Sequence, residues 1–345
     1  MKLRTWLLFL PIAGFLWWLG TVYNQSQSVK ISPKSLSAPS PTSQPLHPLS
    51  IAAMRQRTYP TSEIVIEKEL PAGSNYRQYI VSYTSDGLKI NALLTIPEGE
   101  KPQAGWPAII FNHGYIPPEV YQTTERYIAY VDAFAAKGYV VFKSDYRGNG
   151  VSQGEPEGAY YSPAYAIDIL NALSAVKHFK DVNPNKIGMW GHSMGGNITL
   201  RNLVVNTSDI KAAVIWGGVV GSYEDLMFNW RRRTPFQPSQ REFALRNRTR
   251  QNLIDSYGDP RQNPHFWNTL DPTFFIGDIT TPIQLDVGEA DEEVPMAFSQ
   301  SLRDKLKQAN KPVEYYSYPG SDHNISQSLQ VALEHSVVFF DKYLK

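Results

Sequence analysis

Apolar and polar positions along this chain follow two successive rhythms. From about Thr58, the runs EIVIEKEL, YRQYIVSYTS and LKINALLTIP are short and β-rich, and they predict an antiparallel meander. From Pro107 onward, short continuous apolar runs take over: PAIIFNHG, YVVFKSDYRG, KIGMWGHS, AAVIWGG, TPIQLDVG and PVEYYSYPG. Stretches of helical period separate them. TTERYIAYVDAFAAKG sets Tyr127, Val131, Phe134 and Ala135 on one face and ends at Gly138, and AYAIDILNALSAVKHFK carries Ile169, Leu173 and Val176 on one stripe. MGGNITLRNLVV, PMAFSQSLRDKLKQAN and SQSLQVALEHSVVFFDKYL complete the set. Continuous apolar strands alternating with helices predict an α/β fold, a mostly parallel central sheet with helices on both faces. In such sheets ligands sit at the C-terminal ends of the strands.

Two regions break the alternation. Residues 222–281 are too long for a plain connection, and YEDLMFNWRRR and SQREFALRNRTRQNLIDSYG within them look helical. They predict a helical cap insertion over the site. At the other end, Lys2 and Arg4 precede an uncharged, mostly apolar run at residues 6–23. As a helix that run would span roughly 27 Å, close to the hydrocarbon thickness of a bilayer. Two export readings stay open: an uncleaved membrane anchor, or a signal segment cleaved beyond the run, where Ser35-Leu36-Ser37 is the first fair site. Either places the rest of the chain outside the cytoplasm, with a membrane as partner of the N-terminal segment. Residues 24–57, rich in Ser, Pro and Gln, are expected to form a flexible linker, leaving 58–345 as the catalytic domain.

Composition narrows the chemistry. The 33 Lys and Arg balance 32 Asp and Glu, which argues against a nucleic-acid partner. The chain has no cysteine, so thiol nucleophiles, disulfides and thiolate-held metals are excluded. No metal or cofactor is implied.

The pattern G-x-S-x-G, a mark of serine nucleophiles, occurs twice, at Gly150-Ser152-Gly154 and at Gly191-Ser193-Gly195. A nucleophile elbow is a sharp turn from a strand straight into a helix. Ser193 has that setting, with KIGMW before it and MGGNITLRNLVV after it. Ser152 has RGNG before it and QGEPEG after it, which reads as a loop. A serine nucleophile needs a base and an orienting acid, and at such an elbow they follow in the order acid, then histidine. Three histidines follow Ser193. His335 falls mid-helix and His265 beside Phe266 and Trp267, where packing is expected; His323 falls in the loop after the last strand and is the expected base. In QLDVGEADEEVP, Asp286 is inside the strand and Asp291 is in the loop beyond it, so Asp291 is the expected acid. The oxyanion hole is expected from the N–H of Met194 and the N–H of Tyr115, the latter in FNHGYIPPEV after the first parallel strand. His113 and His192 read as supporting residues, and Asp145 as a residue that fixes its loop.

FNHGY, SDYRGNGVSQGEP, GMWGHSMGGNITL, LDVGEADEEVP and YPGSDHNI, in this order, resemble the catalytic domain of the prolyl oligopeptidase family, within the α/β-hydrolase superfamily. The resemblance runs from Pro107 to the C-terminus. It implies Ser193, Asp291 and His323 as a triad, Tyr115 and Met194 at the oxyanion hole, and hydrolysis of a short peptide or a small ester through an acyl-enzyme. Full-length members usually carry a β-propeller, for which too few residues precede Pro107; propeller-free relatives look like esterases of broad range. The expected cap is rich in arginine, at Arg231, Arg232, Arg233, Arg241, Arg246, Arg248 and Arg250, expected as solvated helix faces or as an attraction for acidic substrates or anionic headgroups.

Overall fold

Each of the six continuous apolar runs forms a strand in the computed structural model, which describes residues 45–234, 238 and 240–345. They are β4 (Trp106–Asn112), β5 (Val140–Ser144), β6 (Val182–His192), β7 (Ile210–Trp216), β8 (Ile283–Gly288) and β9 (Val313–Tyr318). The meander forms β1 (Val65–Leu70), β2 (Tyr76–Ser85) and β3 (Leu88–Pro97). All nine join one sheet in the order β1-β2-β3-β5-β4-β6-β7-β8-β9. The pairs from β1 to β5 are antiparallel, and the remainder are parallel.

The parallel strands are apolar throughout because both faces are covered. Along β4, Ala108 and Ile110 enter one core while Ile109 and Phe111 enter the other. The first core is closed by α3 (Ala164–Lys177), α4 (Met194–Val205) and α7 (Met296–Gln308), the second by α2 (Ile128–Ala135) and α8 (Leu329–Leu344). This is the α/β-hydrolase arrangement expected, and it gathers the loops after β4, β5, β6, β8 and β9 at one edge of the sheet.

Three expectations need correction. The linker was expected to run to residue 57, but Leu46 onward belongs to the folded unit. Ser50 caps α1 (Ile51–Gln56), and Leu49, Ile51 and Met54 are buried. The buried Arg201 guanidinium donates to the Leu49 carbonyl, which fixes this segment against the body of the domain. Second, the helix expected from Thr123 onward starts only at Ile128, because Arg126 and Tyr127 both take left-handed conformations, with φ of 59° and 55°. Third, YEDLMFNWRRR is helical only over 223–229, which closes on the π-type turn Asp225–Asn229, and it leaves the helix at Trp230. Further along the insertion come α5 (Gln240–Tyr257), α6 (Pro264–Leu270) and a 3-10 segment, Pro272–Asp278. Trp267 and Leu270 of α6 share a small core with Leu49, Tyr223 and Leu253.

Residues 1–23 and 24–44, which carry the anchor or signal expectation and most of the linker, lie outside the described residues. Among the described residues, no helix is long and apolar enough to cross a membrane.

Candidate active site

The turn between β6 and α4 is built by close approach. Ser193 has φ 55° and ψ −118°, an uncommon region for a residue with a side chain, and its hydroxyl makes no capping bond. Strain of this kind costs on the order of 1–3 kcal/mol and persists only where the surroundings impose it. Here the imposition is visible. The Ser193 N–H donates to the Trp216 carbonyl at 2.9 Å, and its carbonyl accepts from Gly196 and Val219, each at 3.0 Å. A side chain at Gly195 would strike the Asn112 carbonyl oxygen, and one at Gly191 would strike Thr199 Oγ1. Both glycines therefore let β4, β6 and α4 meet closely enough to lift Ser193 into the cavity above the sheet. The N–H of Met194, at the first position of α4, has no intrahelical acceptor and sits at the positive end of the helix dipole.

The loops after β8 and β9 place an acid on a histidine. Asp291 Oδ2 accepts from His323 Nδ1 at 2.7 Å. Its Oδ1 accepts from the backbone N–H groups of Glu293 and Val294, at 2.8 and 2.9 Å, which fixes the carboxylate. The Asp291 bond keeps the proton on Nδ1, so neutral His323 presents Nε2 as an acceptor. That Nε2 is buried and has no hydrogen-bond partner among the described residues. His323 and Ser193 line the same cavity, of about 690 Å³, together with Gly114 and Tyr115 from the loop after β4.

A second chain of bonds ties these loops to each other. The Gly114 N–H donates to Tyr127 Oη at 2.9 Å, and His192 Nε2 lies 3.0 Å from the His323 carbonyl. A carbonyl only accepts, so Nε2 carries the proton and Nδ1 accepts from the Tyr127 hydroxyl, at 2.7 Å. Burial lowers the His192 pKa to about 3, which keeps it in the neutral form this chain requires. Tyr127 thus bridges the loop expected to hold the oxyanion donor and the loop that carries His323. Helical periodicity pointed to Tyr127 only as an apolar position, and nothing in the sequence pattern marked its role.

The other candidates settle away from the chemistry. Ser152 is buried, and its Oγ accepts from the Asn91 N–H at 2.9 Å. Asp145 accepts from the hydroxyls of Tyr121 and Thr123, at 2.9 and 2.5 Å, and fixes the loop after β5. Asp286 accepts from Tyr318 and Gln284 inside the core, where burial pushes its carboxyl up to about 7. His335 stacks on Tyr316, with 4.3 Å between ring centroids. His265 is exposed, not packed as expected. Its neighbour Phe266 instead stacks on Tyr257, with 3.8 Å between centroids.

The cap arginines do not all face solvent. Arg232, Arg246 and Arg250 line the cavity. Arg232 is ion-paired with Glu293, and the Arg233 N–H donates to the Glu292 carbonyl at 2.9 Å, which ties the insertion to the Asp291 loop. Among the described residues, no group of acids and histidines could hold a metal ion.

An oriented acid–histidine pair that shares a cavity with a serine on a strained strand-to-helix turn, over a parallel sheet, defines a serine hydrolase of the α/β-hydrolase fold. The model of the prolyl oligopeptidase family, Peptidase_S9, matches residues 126–345, and the chain belongs to that family. It is 26% identical over 261 residues to the uncharacterized peptidase YtmA of Bacillus subtilis (strain 168), covering 75% of this chain and 91% of that one. Among solved structures it is similar to the acetyl xylan esterase from Paenibacillus sp. R4, with a TM-score of 0.62 and 19% identity over 85% of this chain and 92% of that one. It is also similar to Porphyromonas gingivalis dipeptidyl peptidase 4, with a TM-score of 0.59 and 21% identity over 78% of this chain, but it spans only 36% of that protein.

Proposed function

We propose that the protein hydrolyses amide bonds of short peptides through an acyl-enzyme on Ser193. The observation that carries this is the 2.7 Å bond from His323 Nδ1 to Asp291, which leaves Nε2 as an acceptor in the cavity of Ser193. As Ser193 Oγ bonds to the substrate carbonyl carbon, its proton passes to His323 Nε2. The carbonyl electron pair moves to oxygen, where the N–H groups of Met194 and Tyr115 stabilise it. His323 then returns the proton to the departing amine nitrogen, and a water repeats the sequence to free the acid. Asp291 holds the imidazole and stabilises its charged form.

A broad-range carboxylesterase is the second reading. It is favoured by the architecture: all strands among the described residues belong to one sheet, so no second domain there screens access to the cavity. Aminoacyl p-nitroanilides and p-nitrophenyl esters, turned over side by side, decide between the two. Higher kcat/KM on the anilides supports the peptidase, and turnover of esters alone supports the esterase. Loss of fluorophosphonate labelling in Ser152→Ala, with labelling retained in Ser193→Ala, would overturn both. The apolar run at residues 6–23 supports a further proposal, that the catalytic domain works outside the cytoplasm, anchored to a membrane or released from it. A full-length mature form in the membrane fraction supports the anchor, a shortened soluble form supports cleavage, and a full-length cytosolic form removes both.

A further inference from the structure

Helix α5 turns the wrong kind of face toward the cavity. Phe243, Arg246, Asn247 and Arg250 line it together with Ser193 and His323. Their spacing of three, four and seven residues is one face of a helix, and a surface helix ordinarily turns an apolar stripe inward. Here half of that face is arginine. Arg126 and Arg232 line the cavity as well, and Glu293 is the only acid among its described lining residues. Glu293 is already ion-paired with Arg232.

The two α5 guanidiniums are placed near the chemistry. Arg246 lies over the rings of Tyr115 and Tyr160, 5.5 and 5.7 Å from their centroids. Tyr115 is the residue expected to supply an oxyanion N–H, so this cation packs on the side chain of the residue that borders the reacting carbonyl and lines the same cavity. Arg250 Nε is buried with no hydrogen-bond partner among the described residues. Arg250 also lines the cavity, so a ligand oxygen there meets a second guanidinium. Neither arginine has to be without other partners, because a guanidinium carries five donors and a carboxylate occupies two of them. Phenol rings and cations together suit a substrate with an apolar body and a negative end.

We propose that this site selects esters or amides that carry a free carboxylate, recognised by Arg246 and Arg250 of α5. This rests on the hydrolase reading above and names its substrate class. The test uses the full chain and two matched pairs of substrates. In the first, the mono-p-nitrophenyl ester of adipic acid is compared with its methyl ester, which differs only in the charge of the acyl end. In the second, p-acetoxybenzoate is compared with its methyl ester, which places the charge on the leaving group.

In at least one pair, the acid is expected to exceed the methyl ester in kcat/KM by about tenfold at low salt, and added salt should erode that ratio. Arg246→Gln combined with Arg250→Gln should bring the ratio close to one. Arg248→Gln, on an exposed part of the same helix outside the cavity, should leave the ratio as it was. Fluorophosphonate labelling of each variant reports whether the site is still formed, and the ratio and its salt dependence in the unaltered protein test the idea without any variant. Equal or better turnover of the methyl ester in both pairs overturns the inference, as does an equal loss of preference in Arg248→Gln. Ser193-dependent turnover without acid preference removes this inference alone; absence of Ser193-dependent turnover on all four substrates removes the hydrolase reading with it.

Discussion

The two G-x-S-x-G turns of this chain solve opposite problems with the same residues. At Gly191-Ser193-Gly195 the serine itself takes the positive φ, 55°, while both glycines make room for neighbouring backbone and side chain. At Gly150-Ser152-Gly154 the glycines take the positive φ, 57° and 94°, and the serine does not. The hydroxyls differ accordingly. That of Ser193 opens into a cavity, whereas that of Ser152 accepts the Asn91 N–H and stitches the loop to β3. The Ser152 loop is held further by Arg147, whose guanidinium grips the buried Asp168 carboxylate at 2.7 Å. The strained serine is the one proposed to react, and the relaxed one is an ordinary structural acceptor. The pattern counts residues, but the strain depends on what lies on either side.

The largest expected effect comes from removing the two hydroxyls in turn. Ser193→Ala should lower kcat/KM by a thousandfold or more, as loss of a nucleophile does, with ~1 kcal/mol or less change in stability. Steady-state turnover with urea unfolding checks both halves. A Ser152→Ala variant with the same loss of turnover would break the comparison. Next comes Gly195→Ala. The added methyl would collide with the Asn112 carbonyl, which is backbone and cannot step aside, so a cost of about 3 kcal/mol or more is expected, with loss of fluorophosphonate labelling. Gly154→Ala should cost about 1–2 kcal/mol, because it strains φ but meets side chains and no backbone, the movable end of Leu88 and the Cβ of Arg147. Denaturation midpoints of the pair rank them, and a milder Gly195→Ala would show that the elbow can relax.

Much of this arrangement was legible in the sequence, for a physical reason. Strand-to-helix context is written locally, so KIGMW followed by MGGNITL distinguished Ser193 from Ser152 without any knowledge of their partners. Chain order then pointed to Asp291 and His323, because loops after successive parallel strands must emerge at one edge of the sheet. What stayed hidden depends on contacts distant in sequence. Tyr127 reads as an apolar helix position, and only the bonds from Gly114 and to His192 explain why it leaves the helix. The segment after Asn229 reads as helix. Its departure from the helix answers to the Trp230 indole donating to the Glu293 carbonyl and the Arg233 N–H donating to the Glu292 carbonyl, 59 residues away in the chain. Helix α1 has six residues, too few to form unaided, and its stability comes from Arg201 and the core beneath it.

A pH experiment sharpens the comparison at the elbow. His192, adjacent to Ser193, is held neutral by burial, with its pKa lowered to about 3 from 6.5. The unfolded chain therefore takes up a proton as pH falls below about 6.5 while the folded chain does not, and stability is lost through that window. At pH 5 the loss from this one group is roughly 2 kcal/mol, at 1.36 kcal/mol per pH unit. His192→Gln abolishes the proton uptake, though it also disturbs the bonds to Tyr127 and to the His323 carbonyl. Its destabilisation should thus be greatest near pH 7.5 and shrink toward pH 5 by about that amount. Urea midpoints at the two pH values read the difference, and a constant penalty would mean that His192 takes up its proton in the folded protein as readily as in the unfolded chain.

The smallest effect on turnover belongs to the quieter serine. Ser152→Ala leaves the Asn91 N–H buried without its acceptor, and an unsatisfied buried donor costs about 1–3 kcal/mol. Ser152→Thr retains the hydroxyl and should recover most of that loss if the extra methyl fits. If Ser152 acts only through this bond, the thermal midpoint should follow the series serine, threonine, alanine, while kcat/KM on a p-nitrophenyl ester stays within about threefold. A fall in kcat/KM that tracks the midpoint would show that the loop after β5 positions the elbow. The two turns could then no longer be treated as independent, and the Arg147–Asp168 pair, which joins the Ser152 loop to helix α3, would be the next place to cut.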